Sequence, residues 1–196
     1  MTILNCFDRN SYWSYCETGS IVDADNPIEI DEFENLRNDT QQFLDNGPYF
    51  SDTMSMADRN DHSQQQSKYF DDAYCNIVME THFDADGCNG AFLTEKTFKP
   101  IKHGQMFFIA GPTGSLDTLR NQGYRVFDGI LDNKYDTYVN ATDRWRTLCN
   151  SIIKSKTQLP WLFELARADI EHNQQLFQSI KTQRLNNLIK DINEHC

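Results

Sequence analysis

Thr94-Glu95-Lys96 is the stretch of this chain whose residue types and placement best support chemistry. A lysine in the first turn of a helix stands among backbone N–H groups that lack intrahelical partners, at the positive end of the helix dipole. A diphosphate held there would meet an ammonium, the dipole and amide donors together. The glutamate beside it offers two acceptor oxygens, which suit the diol of a ribose. One acid for the sugar and one base for the phosphates make a grip for a nucleoside diphosphate. The same residues also have a purely structural use, because a glutamate in a first helical turn is stabilised by the dipole without any ligand.

Other sets of residues compete with that trio. Asp84-Ala85-Asp86 is a D-x-D pair of the kind that holds a divalent cation against a diphosphate, and Asp23-Ala24-Asp25 repeats it elsewhere. Read as a calcium loop, Asp84, Asp86 and Glu95 fall at the right positions. Cys88 and Asn89 then stand where a ligand and the required glycine belong, so that reading fails. Gly111-Pro112-Thr113-Gly114-Ser115 joins a strand to a helix but lacks the spacing and the lysine of a Walker loop. It serves as a turn and N-cap, or it lines a pocket. His62, His82, His103, His172 and His195 are too dispersed for a ligand set, and His103 reads as a dipole contact near a helix end. No serine or cysteine sits in a nucleophile motif. No catalytic residue, metal ligand or resident cofactor is assigned.

The trio needs elements to hold it. Tyr74 to Glu80 (YCNIVME) reads as a buried strand, β-branched at Ile77 and Val78. A loop with Gly87 and Gly90 leads to a helix from Glu95 to about His103, with Thr94 as its N-cap and Pro100 shortening or kinking it. Met106 to Ala110 is a second buried strand. Ser115 then caps a helix with Leu116 and Leu119 inward and Gly123 at its C′ position. Tyr124 to Phe127 (YRVF) reads as a third strand, and strands separated by single helices imply parallel pairing. Asp132, Tyr135 and Asp136 fall in what reads as a surface loop. Asp143 to Lys154, Leu159 to Ile180 and Arg184 to Ile192 carry apolar residues at helical spacing, with Trp161, Phe163 and Phe177 placed to pack. The expected fold class is α/β, with a Rossmann-like parallel sheet closed by C-terminal helices.

Residues 1–70 are poorly patterned. Ile21-Val22 and Ile28-Glu29-Ile30 read as short strands, and Glu32 to Leu44 as a short helix. The polar run from Asn46 to Lys68 reads as loop. The expected division is an N-terminal segment over 1–70 and the α/β domain over 71–196. The chain has 196 residues, 39% hydrophobic, enough for one domain with a proper core. A formal net charge of -11 argues against nucleic-acid binding, for want of a basic stripe to replace phosphate counterions. Six scattered cysteines, none in a C-x-x-C pair, read as reduced thiols of a cytoplasmic protein. No apolar run approaches the ~18 residues of a membrane span, and MTILNCFDRN lacks a signal-peptide layout.

The run FLTEKTFKPIKHGQMFFIAGP, Phe92 to Pro112, resembles the donor-binding motif of fucosyltransferases. Their pattern is an aromatic residue, a V/T-E-K trio, a helix ending in glycine, an apolar strand and a glycine-proline turn. Ile77-Val78-Met79-Glu80-Thr81 is similar to the strand that precedes it there. The likeness covers residues 74–128. It implies the C-terminal Rossmann-like half of a two-domain GT-B glycosyltransferase. Glu95 would hold the ribose and Lys96 the phosphates of a GDP- or UDP-sugar. Phe92 would be the aromatic beside the donor, with Thr94, Glu80 and Gly111 lining the same site. The family's donor-phosphate arginine has no counterpart in a motif here, Arg37, Arg59 and Arg125 being isolated. Residues 1–70 are too short for the acceptor domain that carries the catalytic base, so they read as its remnant or as a sign that the domain is separate. The expectation is a metal-independent glycosyltransferase, or its donor-binding part, acting on an unknown acceptor hydroxyl. The alternatives are a catalytically incomplete nucleotide-sugar-binding or interaction module, and a metal-dependent D-x-D glycosyltransferase.

Overall fold

The computed structural model describes residues 70–80, 83 and 92–195, which belong to the unit Gln66–Cys196. The elements expected before residue 70, together with Arg37, Arg59, Asp84 and Asp86, lie outside the described residues. The described part is mixed α/β. Strand β1 (Cys75–Met79) and strand β2 (Met106–Ala110) form a two-stranded parallel sheet, with Cys75 opposite Met106 and Met79 opposite Ala110. Helix α1 (Glu95–Lys102) lies between them in the chain, and helix α2 (Ser115–Asn121) follows β2. A single 3-10 turn (Lys134–Thr137) leads into the long C-terminal helices α3 (Ala141–Lys156) and α4 (Leu159–His195).

Every residue of β2 is buried, as expected of an apolar parallel strand covered on both faces. Leu116, Leu119, Leu148, Ile152 and Ile170 fill the same core, and Phe107 meets the Phe127 ring edge-on at 5.0 Å. β1 differs from its expectation as a buried strand. Only Val78 within it is buried, and Met79 is half exposed, because no described strand covers its outer edge.

Tyr124 to Phe127 is not a third strand. At Arg125 and Val126, side chains take the backbone bonds that a ladder would make. The Arg125 N–H donates to Asn173 Oδ1 at 2.8 Å, and the Arg125 carbonyl accepts from Asn173 Nδ2 at 2.7 Å. The Val126 carbonyl accepts from Asn133 Nδ2 at 2.7 Å. The β2 amide of Ile109 donates to the Tyr135 hydroxyl at 3.1 Å. One amide side chain on α4 thus pairs Arg125 as a neighbouring strand would. Phe127 ends the segment in a left-handed conformation, φ 63°, with its ring fully buried.

Both short helices stop as their glycines dictate. At α1, the N–H groups of Gly104 and Gln105 donate to the Ile101 and Pro100 carbonyls, with Gly104 at φ 70°. At α2, Gly123 and Tyr124 bond Arg120 and Leu119 in the same way, with Gly123 at φ 89°. These are Schellman endings, which only a residue tolerant of positive φ completes cheaply. Asn140 caps α3, its Oδ1 accepting from the Asp143 N–H at 3.0 Å. α4 runs unbroken through the expected gap between Ile180 and Arg184, because Lys181-Thr182-Gln183 contains no helix breaker. Trp161 does not pack as expected and is 60% exposed. His103 is the C-cap of α1, but its ring stacks on Phe70 at 4.6 Å. Burial and the Lys102 charge hold its pKa below the ordinary value.

Candidate functional site at the carboxyl edge of the sheet

Parallel strands send both following segments out of one edge of the sheet, and open α/β folds take their ligands there. Here Glu80 follows β1 by one residue and Gly111 follows β2 by one residue. A Cβ placed on Gly111 would lie 3.5 Å from Glu80 Cβ and 2.9 Å from Ser115 Oγ, so the two strand ends nearly touch. The N-terminus of α1 meets this edge through Thr94, and that of α2 through Ser115.

Glu80 is buried, and its carboxylate organises the α1 end. Oε1 accepts from the Thr94 N–H at 3.1 Å and from the Thr97 hydroxyl at 2.6 Å. Oε2 accepts from the Thr94 hydroxyl at 2.7 Å. Thr94 in turn is the N-cap, accepting from the Lys96 N–H at 3.3 Å through Oγ1 and from the Thr97 N–H at 3.2 Å through its carbonyl. Burial pushes the Glu80 carboxyl up. The hydrogen bonds from Thr97 and Thr94, with the Lys96 charge behind them, outweigh burial and leave it below its ordinary value. Glu80 is therefore an ionised cap for α1, relayed through Thr94.

The α2 end is filled by a second carboxylate. Asp136 accepts from the Ser115 N–H at 3.1 Å and from the Leu116 N–H at 2.9 Å. Its carbonyl accepts from the Gly114 N–H at 3.2 Å and the Thr113 hydroxyl at 2.9 Å. Ser115 is thus the first residue of α2, not its cap. Gly114 holds the cap position at φ 78°, and Asp136 supplies the acceptor from a distant loop. Asp132 is exposed as expected, but the other two residues of that loop are not at the surface. Tyr135 is fully buried and Asp136 is 6% exposed. Burial pushes the Asp136 carboxyl up to about 6, against the pull of the Leu116 and Ser115 amides.

The structure therefore brings Glu80, Thr94, Lys96 and Gly111 to one edge. Glu95 is exposed in the first turn of α1, and Phe92, 65% exposed, precedes it. Arg125 is turned to the α4 side, where it pairs with Asp169 at 2.8 Å. Sequence reasoning missed Thr97 and Asp136. Thr97 carried a local signal, since two threonines three apart at a helix start put both hydroxyls over the first turn. Asp136 carried none. Among the described residues, no three His, Cys, Asp or Glu side chains come together to hold a metal ion. No helix there is long and apolar enough to cross a membrane.

Comparisons with protein-family models, with curated proteins and with solved structures find no match to the chain.

Proposed function

We propose that the edge beside α1 grips a nucleotide-diphosphate sugar, and that the chain is a metal-independent glycosyltransferase of GT-B type, or its donor-binding part. This domain would be the Rossmann-like half. The observation that carries the reading is the position of Glu95 and Lys96, which open α1 at the carboxyl edge of a parallel pair. They do so within a stretch that resembles the fucosyltransferase donor motif. In this role the Lys96 ammonium neutralises the diphosphate as it leaves, Glu95 accepts from the ribose hydroxyls, and Phe92 packs on the donor. The sugar carbon exchanges its bond to the diphosphate for one to the acceptor oxygen. The proton of that hydroxyl goes to a base on an acceptor domain. Calorimetry on the full chain with GDP and UDP tests this. Wild type should bind one of them, and Lys96→Ala should weaken it about tenfold, the loss of one charge-assisted contact. A folded wild type that binds neither overturns the reading.

A second reading, a nucleotide-sugar-binding module without transferase activity, is favoured by one observation. Both buried carboxylates at this edge, Glu80 and Asp136, already accept hydrogen bonds from helix N-termini. Neither is placed to take a proton from an acceptor. Donor binding without donor turnover, over a panel of acceptor hydroxyls, selects this reading.

A further inference from the structure

Arg144 breaks two rules of placement. It stands in the first turn of α3, where a cation opposes the helix dipole, and it is 2% exposed. Burying a guanidinium is costly unless its donors are used. Here they are used on backbone. Nη1 donates to the Tyr138 carbonyl at 2.7 Å and to the Val139 carbonyl at 2.9 Å, and Nη2 donates to the Phe83 carbonyl at 2.5 Å. The guanidinium carbon also lies 4.5 Å from the centroid of the Phe83 ring, which meets the Trp145 ring edge-on at 5.4 Å. Two successive residues of α3 thus hold Phe83 by its carbonyl and by its ring.

The two segments so joined are those that carry the carboxylates of the sheet edge. Phe83 follows Glu80 by three residues, and Tyr138 follows Asp136 by two. An extended chain covers at most about 3.5 Å per residue, so each clasped residue lies within about 10 Å of the backbone that bears its carboxylate. Elsewhere in the unit a neutral amide is enough to hold a segment, as Asn173 holds Arg125. Three carbonyls from two distant segments call for the planar fork of an arginine. We propose that Arg144 is a positioning residue of the nucleotide site. It fixes the segment leaving β1 against the segment leaving the turn that caps α2, so a nucleotide seated on α1 meets an edge that is already ordered. The inference rests on the donor reading above. Buried as it is, Arg144 acts through Phe83, Tyr138 and Val139 and not by touching the ligand.

Order set in advance spares the ligand the cost of fixing those residues, and one residue's worth of that cost is about tenfold in affinity. Calorimetry of the full chain with GDP and UDP tests this, under conditions where urea unfolding shows each variant folded. Arg144→Lys keeps the charge and loses the fork. It should weaken the nucleotide that wild type binds by about tenfold, with the stoichiometry unchanged. Phe83→Leu, at a half-buried position, should weaken binding in the same direction, and Phe83→Tyr, which keeps the ring, should bind as wild type does. Asn173→Ala destabilises the same unit on its α4 side and should leave the affinity within about twofold, which separates positioning from mere stability. An Arg144→Lys that binds like wild type overturns the proposal. So does an Asn173→Ala that weakens binding as much, or a Phe83→Leu and Phe83→Tyr that bind alike. Should Arg144→Lys fail to fold, the Phe83 pair decides. A wild type that binds neither nucleotide overturns the donor reading, and this inference with it.

Discussion

Glu80→Ala should be among the most damaging single changes in the described unit. The carboxylate accepts three hydrogen bonds, at 3.1, 2.7 and 2.6 Å, from Thr94 and Thr97. A hydrogen bond to an ionised group contributes roughly 1.5–3 kcal/mol, and an unpaired buried donor costs about as much again if left behind. Truncation leaves the Thr97 hydroxyl unpaired in a fully buried position and frees Thr94, the cap of α1. Some of that cost is recovered if hydroxyls rotate to new acceptors, so the expected loss is about 4 kcal/mol. For a chain of this size it lowers the melting temperature by about 8–16 °C. Glu80→Gln keeps one acceptor oxygen and sets an amide against hydroxyls that can accept, so it should cost about 1–2 kcal/mol. The pH dependence has a definite sign. The folded carboxyl titrates below its ordinary 4.5. Its contribution is therefore complete above pH 4.5 and is lost as pH falls through the folded value. Urea unfolding of wild type and Glu80→Gln from pH 3 to 7 should show that slope in the first and not in the second. Glu80 is not the cap of α1 if Glu80→Ala unfolds within about 1 kcal/mol of wild type, the range of an ordinary surface change. If it did so and also abolished nucleotide binding, the carboxylate would be a ligand contact and not a cap.

Asp136 should show the opposite linkage. Its folded pKa is raised from 3.8 to about 6, so the folded state holds its proton more tightly than the unfolded chain. Stability then falls as pH rises between those values, by up to about 3 kcal/mol, and Asp136→Asn should flatten that part of the profile in urea titrations. Asn173→Asp keeps the acceptor for the Arg125 N–H but loses the donor to the Arg125 carbonyl and buries a charge. It should cost about 2–4 kcal/mol in chemical unfolding, more than Asn173→Ala, which is smaller and neutral.

Much of this unit was legible because its signals are local. Thr94 before a charged first turn and Gly104 after the last one mark both ends of α1 within a dozen residues. β2 was legible as an apolar run with nothing polar to interrupt it. The failures share a cause, which is pairing across long stretches of chain. YRVF has strand composition, but its backbone partner is Asn173, 48 residues on, and no local pattern announces an amide that imitates a ladder. Asp136 caps α2 from 21 residues beyond Ser115. Glu80 was expected to line the donor site, and it does reach that edge. Its hydrogen bonds to Thr94 and Thr97 give it a structural task that a motif comparison does not reveal.

Those two caps change what the edge can offer an anion. Bare helix N-termini converging on a sheet edge would present several amide donors. Here Thr94 N–H is taken by Glu80, Lys96 N–H by Thr94, and the Ser115 and Leu116 amides by Asp136. Each donor so engaged has a polar oxygen in front of it, and three of those four oxygens belong to carboxylates. A diphosphate arriving at α1 would therefore be drawn by the Lys96 side chain and not by these amides. Lys96 already spends part of its field on Glu80. On the proposed reading, Lys96 is the cation that the described residues bring to the phosphates at this edge. Selectivity must come from the sugar and base contacts that Glu95 and Phe92 supply from the exposed side of the first turn. An N-terminal capping carboxylate costs anion affinity and returns rigidity. It holds Lys96 and Glu95 at a fixed angle to the end of β1, which a grip built on one cation needs more than one built on a ring of amides.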